Sequence, residues 1–252
     1  MIRVASIAVF LVLYFLIGIP AWGVLWIVGK FDEEKKQRMA LSMVQGGFRC
    51  ILKLCSATKT TVIGRERIPR DQAVLYVGNH RSFFDILIIY TLVPDLTGFV
   101  AKKEMEKIPF LSTWMKLVNC LFLDRDDMKQ GLKMVLDGIN KLKSGISICI
   151  FPEGTRNSGE DETELMPFKE GSLKMAEKAG CLIVPVAMNH NSAIFEDQAP
   201  KVKPAHTVIE FGEPIDPKAL SKEERKFLGA YTREQITEML KKNQALVTQR
   251  SR

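Results

Sequence analysis

His80 and Asp85 stand five positions apart in the run Asn79-His80-Arg81-Ser82-Phe83-Phe84-Asp85, and His80 is one of only 3 histidines in 252 residues. A histidine with a carboxylate in reach is the pair that takes a proton from a hydroxyl. The imidazole accepts the proton, and the carboxylate fixes the tautomer and stabilises the imidazolium that forms. Further along, Lys103, Arg125 and the run Phe151-Pro152-Glu153-Gly154-Thr155-Arg156 supply cations and a second carboxylate. Arginine binds two phosphate oxygens through parallel N–H bonds, whereas lysine acts as a point charge. One base with several cations suits a substrate that carries both a phosphate and a reacting hydroxyl. Each piece alone has a plainer reading: a satisfied polar residue, a solvated lysine pair, or a turn closed by a salt bridge.

These residues need a scaffold that brings them together. The apolar run Val74 to Val77 ends in Gly78-Asn79, and Ile86 to Ile89 is apolar again. That reads as a buried strand, a tight turn and a helix starting near Ser82 or Phe83. The same alternation continues. Strands are expected near 61–64, 73–77, 97–101, 120–123, 146–151, 182–187 and 206–211. Helices are expected near 83–93, 108–117, 128–143, 168–179 and 221–242, with Gly145 and Gly180 placed as helix C-caps. The pattern predicts an α/β fold: a mixed, mostly parallel sheet of about seven strands flanked by helices. In open sheets of this kind the carboxyl ends of the strands form the crevice. His80, Lys103, Arg125 and Arg156 all follow expected strands.

A separate region precedes this. Val4 to Val28 holds no charged residue in 25 positions, and as a helix it measures about 38 Å, enough to cross a bilayer core. It is too long for a signal-peptide core. Gly18 and Pro20 permit a kink, so the segment either spans or lies partly in one leaflet. Trp22 and Trp26 suit an interface. Arg3 precedes the segment, and Lys30, Lys35, Lys36 and Arg38 follow it, so the positive-inside rule puts the large C-terminal part on the cytoplasmic side. Asp32, Glu33 and Glu34 open a helix on which Ala40, Val44, Phe48, Ile51 and Cys55 recur at helical spacing. That face packs on the domain or lies on the membrane. The expected division is a helical membrane-anchoring region, 1–58, and an α/β domain, 59–252.

The net charge is +7, and from Lys30 to Arg70 ten Lys/Arg face four Asp/Glu. That excess suits anionic headgroups or a phosphorylated substrate, and no nucleic-acid-binding motif accompanies it. The five cysteines show no CxxC spacing, and most lie in apolar runs, which argues against a zinc site and fits a reducing compartment. No GxxxxGK[ST], GxGxxG or G-x-S-x-G element is present, so neither a phosphate-binding loop, a dinucleotide fold nor a serine elbow at Ser82 is indicated.

The chain resembles the glycerolipid acyltransferases. Asn79 to Asp85 looks like the family's NHxSxxD block. Lys103-Glu104 with Pro109-Phe110, continuing into Phe122-Leu123-Asp124-Arg125, resembles the second. Phe151 to Arg156 matches the third, FPEGTR, and Val184-Pro185-Val186 the fourth. Asn157 and Asn119 depart from the residues common at those positions, and neither is expected to touch His80. The resemblance implies transfer of an acyl group from a thioester, acyl-CoA or acyl carrier protein, to the sn-2 hydroxyl of a 1-acylglycerol-3-phosphate. His80 would be the base and Asp85 its orienting carboxylate. Lys103, Arg125, Glu153, Gly154, Thr155 and Arg156 would bind substrate, with Glu153 orienting Arg156 or the glycerol. Val184 to Val186 would wall an acyl chain or pack the core. No metal or further cofactor is implied. Rival readings are the same chemistry on glycerol-3-phosphate or another lysophospholipid, thioester hydrolysis, and a non-enzymatic lipid-binding scaffold.

Overall fold

The computed structural model describes residues 2–248. Among them, seven strands form one sheet: β1 (Lys59–Ile63), β2 (Leu75–Gly78), β3 (Thr97–Lys102), β4 (Leu121–Leu123), β5 (Ser147–Ile150), β6 (Ile183–Asn189) and β7 (His206–Phe211). Their order is β1-β7-β6-β2-β5-β3-β4. Every neighbouring pair is parallel except β6 and β7. The carboxyl ends of β2 to β6 therefore share one edge. β2 and β5 are buried at every position, as expected for central parallel strands covered on both faces.

Two cores sandwich the sheet. On one side lie α1 (Ile2–Gly29), α2 (Glu33–Cys50), α3 (Phe84–Leu92) and α4 (Leu111–Leu117), whose Leu25, Ala40, Ile88 and Trp114 share a core with Tyr76 and Cys149 of the sheet. On the other lie α5 (Met128–Lys143), α6 (Glu170–Ala179), the short α7 (Lys222–Lys226) and α8 (Leu228–Thr248). There Met134, Leu173, Met175 and Ile236 pack on Leu75, Val77 and Ile148. Leu75 and Val77 go to one core and Tyr76 to the other, the period-two alternation of a strand.

Local chemistry sets most element ends. Asp32 caps α2 by accepting from the Lys35 amide at 2.8 Å, and Asp127 caps α5 by accepting from the Lys129 and Gln130 amides at 2.8 and 3.1 Å. Gly145 and Gly180 leave their helices with φ of 87° and 74°, the left-handed conformation in which a Cβ is costly. The helix expected over 221–242 is instead two. Ser221 and Glu224 form a capping box on α7, and the Glu170 carboxylate accepts from the Gly229 and Ala230 amides to cap α8. That second cap comes from a residue 59 positions away, which sequence spacing does not show. The helix expected over 108–117 is likewise shorter. A 3₁₀ turn, Lys103–Lys107, comes first, and α4 begins only after Phe110, whose φ is 66°.

α1 and α2 form a hairpin closed by Lys30 to Asp32. At Gly47 a Cβ would stand 2.8 Å from the Tyr14 ring, and at Gly18 it would stand 3.3 Å from Phe110. Both glycines thus allow close approach, and Gly18 and Pro20 sit inside one continuous helix. The α2 face carrying Ala40 and Leu41, continued by Ile51 in the π-helical turn Ile51–Cys55, packs into the protein core. Leu25 of α1 and Ala40 of α2 thus share the core on that side of the sheet with Tyr76 and Ile88. The remaining face of α1 is uncovered. Val9, Val12, Leu13, Leu16 and Ile17 are each more than half exposed, and the helix is long and apolar enough to cross a membrane. Exposed apolar surface on this scale marks a membrane-associating element.

Candidate active site

The turn after β2 is held by one carboxylate. Asp85 is 1% exposed at the start of α3. Its Oδ2 accepts from His80 Nδ1, the Arg81 amide and the Ser82 amide, each at 2.8 Å, and its Oδ1 accepts from Asn191 Nδ2 at 2.7 Å. Four donors on two oxygens fill the carboxylate's accepting capacity. Because Nδ1 faces an acceptor, it carries the proton, which leaves Nε2 as the ring's lone-pair nitrogen. The imidazole stacks on Phe151, with centroids 4.3 Å apart and planes 8° apart. The side chain is 15% exposed. Ring orientation is thus fixed from one face and from one edge.

The loop after β5 wraps this turn. Glu153 is 6% exposed, and its two oxygens accept from the His80 amide at 2.9 Å and the Met166 amide at 3.0 Å. Burial pushes its carboxyl above the ordinary value, opposed by those amide hydrogen bonds. No hydrogen bond or ion pair among the described residues joins it to Arg156, one of the two groups it was expected to orient. Its two hydrogen bonds tie the His80 backbone to the segment that carries Met166. Gly154 follows with φ of 78°, where a Cβ would stand 2.9 Å from Lys169 Nζ. Asn157 meets the His80 backbone rather than its imidazole. Its amide donates to the His80 carbonyl at 2.7 Å, while its side chain donates to the Glu164 carbonyl and accepts from the Gly159 amide. The carboxamide thus donates through its nitrogen on one side and accepts through its oxygen on the other.

Arg156 reaches back over the turn. Its guanidinium lies 3.8 Å from the Phe83 ring centre, and Nη1 donates to Glu196 at 3.2 Å. Thr155 and Arg156 help line a cleft of about 660 Å³, with Arg81, Asn157, His190 and Glu196 also in its wall. Lys103 and Arg125 lie on the same sheet edge but further along. β3 and β4 are two and three strands from β2, about 10 and 14 Å at ~4.8 Å per strand. Lys103 pairs with Glu106 at 2.8 Å, and Arg125 is exposed with no ion-pair partner among the described residues. Ser82 is fully buried, donating to Glu196 at 2.6 Å and accepting from the Phe84 amide at 3.0 Å, an arrangement unlike an exposed nucleophile. Val184, Pro185 and Val186 are buried within β6 as core. Asn119 lies away from the site, before β4, with φ of 63° and its side chain between Gln37 and Lys141.

Asn191 and Glu196 were not singled out by composition or spacing, and Asn79 was named only as part of the NHxSxxD block. Asn79 pairs with both backbone groups of Met188 at 2.9 Å, tying the turn to β6. Asn191 and Glu196 lie in the loop after β6, the strand end read as apolar. The polar Asn189-His190-Asn191 run just beyond it was the available signal.

The arrangement resembles proteins already known. A crystal structure of the 1-acyl-sn-glycerophosphate acyltransferase PlsC from Thermotoga maritima superposes with a TM-score of 0.73, at 25% identity, over 97% of this chain and 100% of that one. The 1-acyl-sn-glycerol-3-phosphate acyltransferase of Borreliella burgdorferi is 32% identical over 81% of this chain and 80% of its own. That of Saccharomyces cerevisiae is 27% identical over 82% of this chain and 68% of its own. Residues 59–189, from β1 through β6 and containing His80, Asp85 and Arg156, match the family model described as Acyltransferase, and the chain belongs to that family.

Proposed function

We propose that the protein acylates the sn-2 hydroxyl of 1-acylglycerol-3-phosphate, using an acyl thioester of coenzyme A or acyl carrier protein, and so forms phosphatidic acid. The observation that carries this reading is the His80–Asp85 pair at 2.8 Å, set on the sheet edge beside a tethered arginine. His80 Nε2 takes the hydroxyl proton as the oxygen attacks the thioester carbonyl. The C–S bond breaks as the new C–O bond forms, and the proton returns to the leaving thiolate. Asp85 stabilises the imidazolium between those steps. Thioester cleavage drives the reaction, so the chemistry asked of this chain is proton transfer and positioning. Arg156 is the phosphate ligand, with Lys103 and Arg125 placed to meet the anionic parts of the donor or acceptor further along the edge.

The exposed face of α1 explains the setting. Acceptor and product both carry long chains, and a crevice held at headgroup level works without extracting them from the bilayer. The basic run after α1 draws that crevice to anionic lipid on the cytoplasmic side. The test is thiol release from acyl-coenzyme A by detergent-purified protein given lysophosphatidic acid, glycerol-3-phosphate or no acceptor, repeated with acyl carrier protein thioesters. Release that requires lysophosphatidic acid is the expected result. Release without an acceptor identifies a thioesterase, release only with glycerol-3-phosphate reassigns the acceptor, and none with either donor favours a binding scaffold.

A further inference from the structure

The loop after β6 touches both halves of the site. Asn191 donates to Asp85 at 2.7 Å, and five residues on, the Glu196 carboxylate gathers three donors. Oε2 accepts from the Ser82 hydroxyl at 2.6 Å, and Oε1 accepts from the Phe83 amide at 2.8 Å and from Arg156 Nη1 at 3.2 Å. The loop itself is anchored, because Ile194 is fully buried and Ser192 donates to Asp197 at 3.3 Å. Ser82 and Phe83 belong to the turn that carries His80 and Asp85. Glu196 therefore connects the turn bearing the base to the arginine.

We propose that Glu196 is a positioning residue for acceptor recognition: its carboxylate fixes one edge of the Arg156 guanidinium while Phe83 fixes its face, presenting the remaining N–H donors to the acceptor's phosphate. Only Nη1 of Arg156 has a protein partner among the described residues, and arginine has five N–H donors. An untethered arginine side chain loses rotational freedom when it binds an anion. One clamped on two sides has already lost it, and the preorganised fork binds more tightly. The converse assignment is that Glu196 occupies the phosphate's place and must be displaced. The two differ in sign.

The proposal rests on the acceptor assignment above, and the experiment separates the two. Wild type, Glu196→Ala, Glu196→Gln and Arg156→Ala are compared for kcat and KM with lysophosphatidic acid. Labelling of Arg156 by phenylglyoxal, read by peptide mass spectrometry, is followed without substrate. Glutamine keeps an oxygen for the Ser82–Phe83 turn but turns the ion pair into a neutral contact. The expected result is a KM about 3- to 10-fold higher in both Glu196 variants, the scale of a lost, partly exposed charged hydrogen bond. In the Gln variant kcat stays within about twofold, and Arg156 is labelled several-fold faster in both. Adding Arg156→Ala to Glu196→Ala should raise KM no further than Arg156→Ala alone. A KM that falls on removing Glu196 overturns the proposal in favour of an internal phosphate surrogate. Unchanged labelling overturns it whatever the acceptor, whereas an inactive wild type with faster labelling in the variants would fault the acceptor assignment only.

Discussion

The turn after β2 and the helix α1 are held by opposite means. At Asp85, four donors converge on two carboxylate oxygens in a site with 1% exposure. Along α1, contacts such as Gly47 on Tyr14 and Gly18 on Phe110 fix one face, and the other offers Val9 to Ile17 to its surroundings. The first region is specified by hydrogen bonds whose loss leaves buried polar groups unpaired, at ~1–3 kcal/mol each. The second is specified by apolar area, which any apolar medium satisfies. The turn is thus positioned by the protein alone, whereas the outer face of α1 is left for an apolar surrounding such as a membrane.

That contrast is broken most directly at the turn. His80→Ala should lower kcat by roughly 10²–10⁴-fold, with little change in thermal stability, since Asp85 keeps its three other donors. Asp85→Asn should cost comparable activity, because a carboxamide no longer enforces the Nδ1–H tautomer. It should also destabilise the fold by about 1–3 kcal/mol, since one of its two heads becomes a donor facing donors. Turnover and melting temperature of both variants check this. An Asp85→Asn protein of full activity, or one as stable as His80→Ala, would show that the carboxylate does not organise the turn.

The helix should respond in the complementary way. Val12→Lys combined with Leu16→Lys places two cations on the exposed face, each costing about 2.5–3.5 kcal/mol at the centre of an apolar phase. Binding to vesicles containing anionic lipid should weaken by about 100-fold or more, and activity on long-chain acceptor in vesicles should fall with it. Turnover of a short-chain soluble acceptor should stay within about twofold. Equal losses on both acceptors would mean that α1 supports the site rather than its address.

The same division explains how far the sequence could be read. Apolar periodicity reports directly on α1 and on the sheet, because burial and membrane contact both act on side-chain polarity residue by residue. The His80–Asp85 contact was legible too, since histidine is scarce in this chain and the spacing is short. Partners carried by distant loops were not. Glu170 caps α8 across 59 residues and Glu196 meets Ser82 across 114, and nothing in either local sequence marks the contact. Glu153 shows the subtler limit. Its place beside Arg156 in the sequence suggested that it orients that arginine or the glycerol, yet Gly154 between them is left-handed, and the carboxylate turns inward to backbone amides while the guanidinium turns out to Glu196. Neighbours in sequence face apart wherever the backbone reverses.

Glu153 also provides the finest test of how the buried turn balances charge against hydrogen bonding. Burial raises its carboxyl above the ordinary 4.5, despite two amide donors that favour the ionised form. A group whose proton is held more tightly in the folded protein contributes stability that is fully present below the unfolded value and is lost as pH rises through the folded one. Glu153→Gln lacks that dependence. Its carboxamide loses one amide partner, at about 1 kcal/mol, and gains by removing a buried charge, so the net effect near neutrality is small. The informative quantity is therefore the difference in melting temperature, variant minus wild type, followed from pH 4 to 7. It should become more positive as pH rises from about 4.5 towards neutrality. A difference that instead becomes more negative would mean that the His80 and Met166 amides outweigh burial. Glu153 would then be a carboxylate that its amide hydrogen bonds keep charged despite burial.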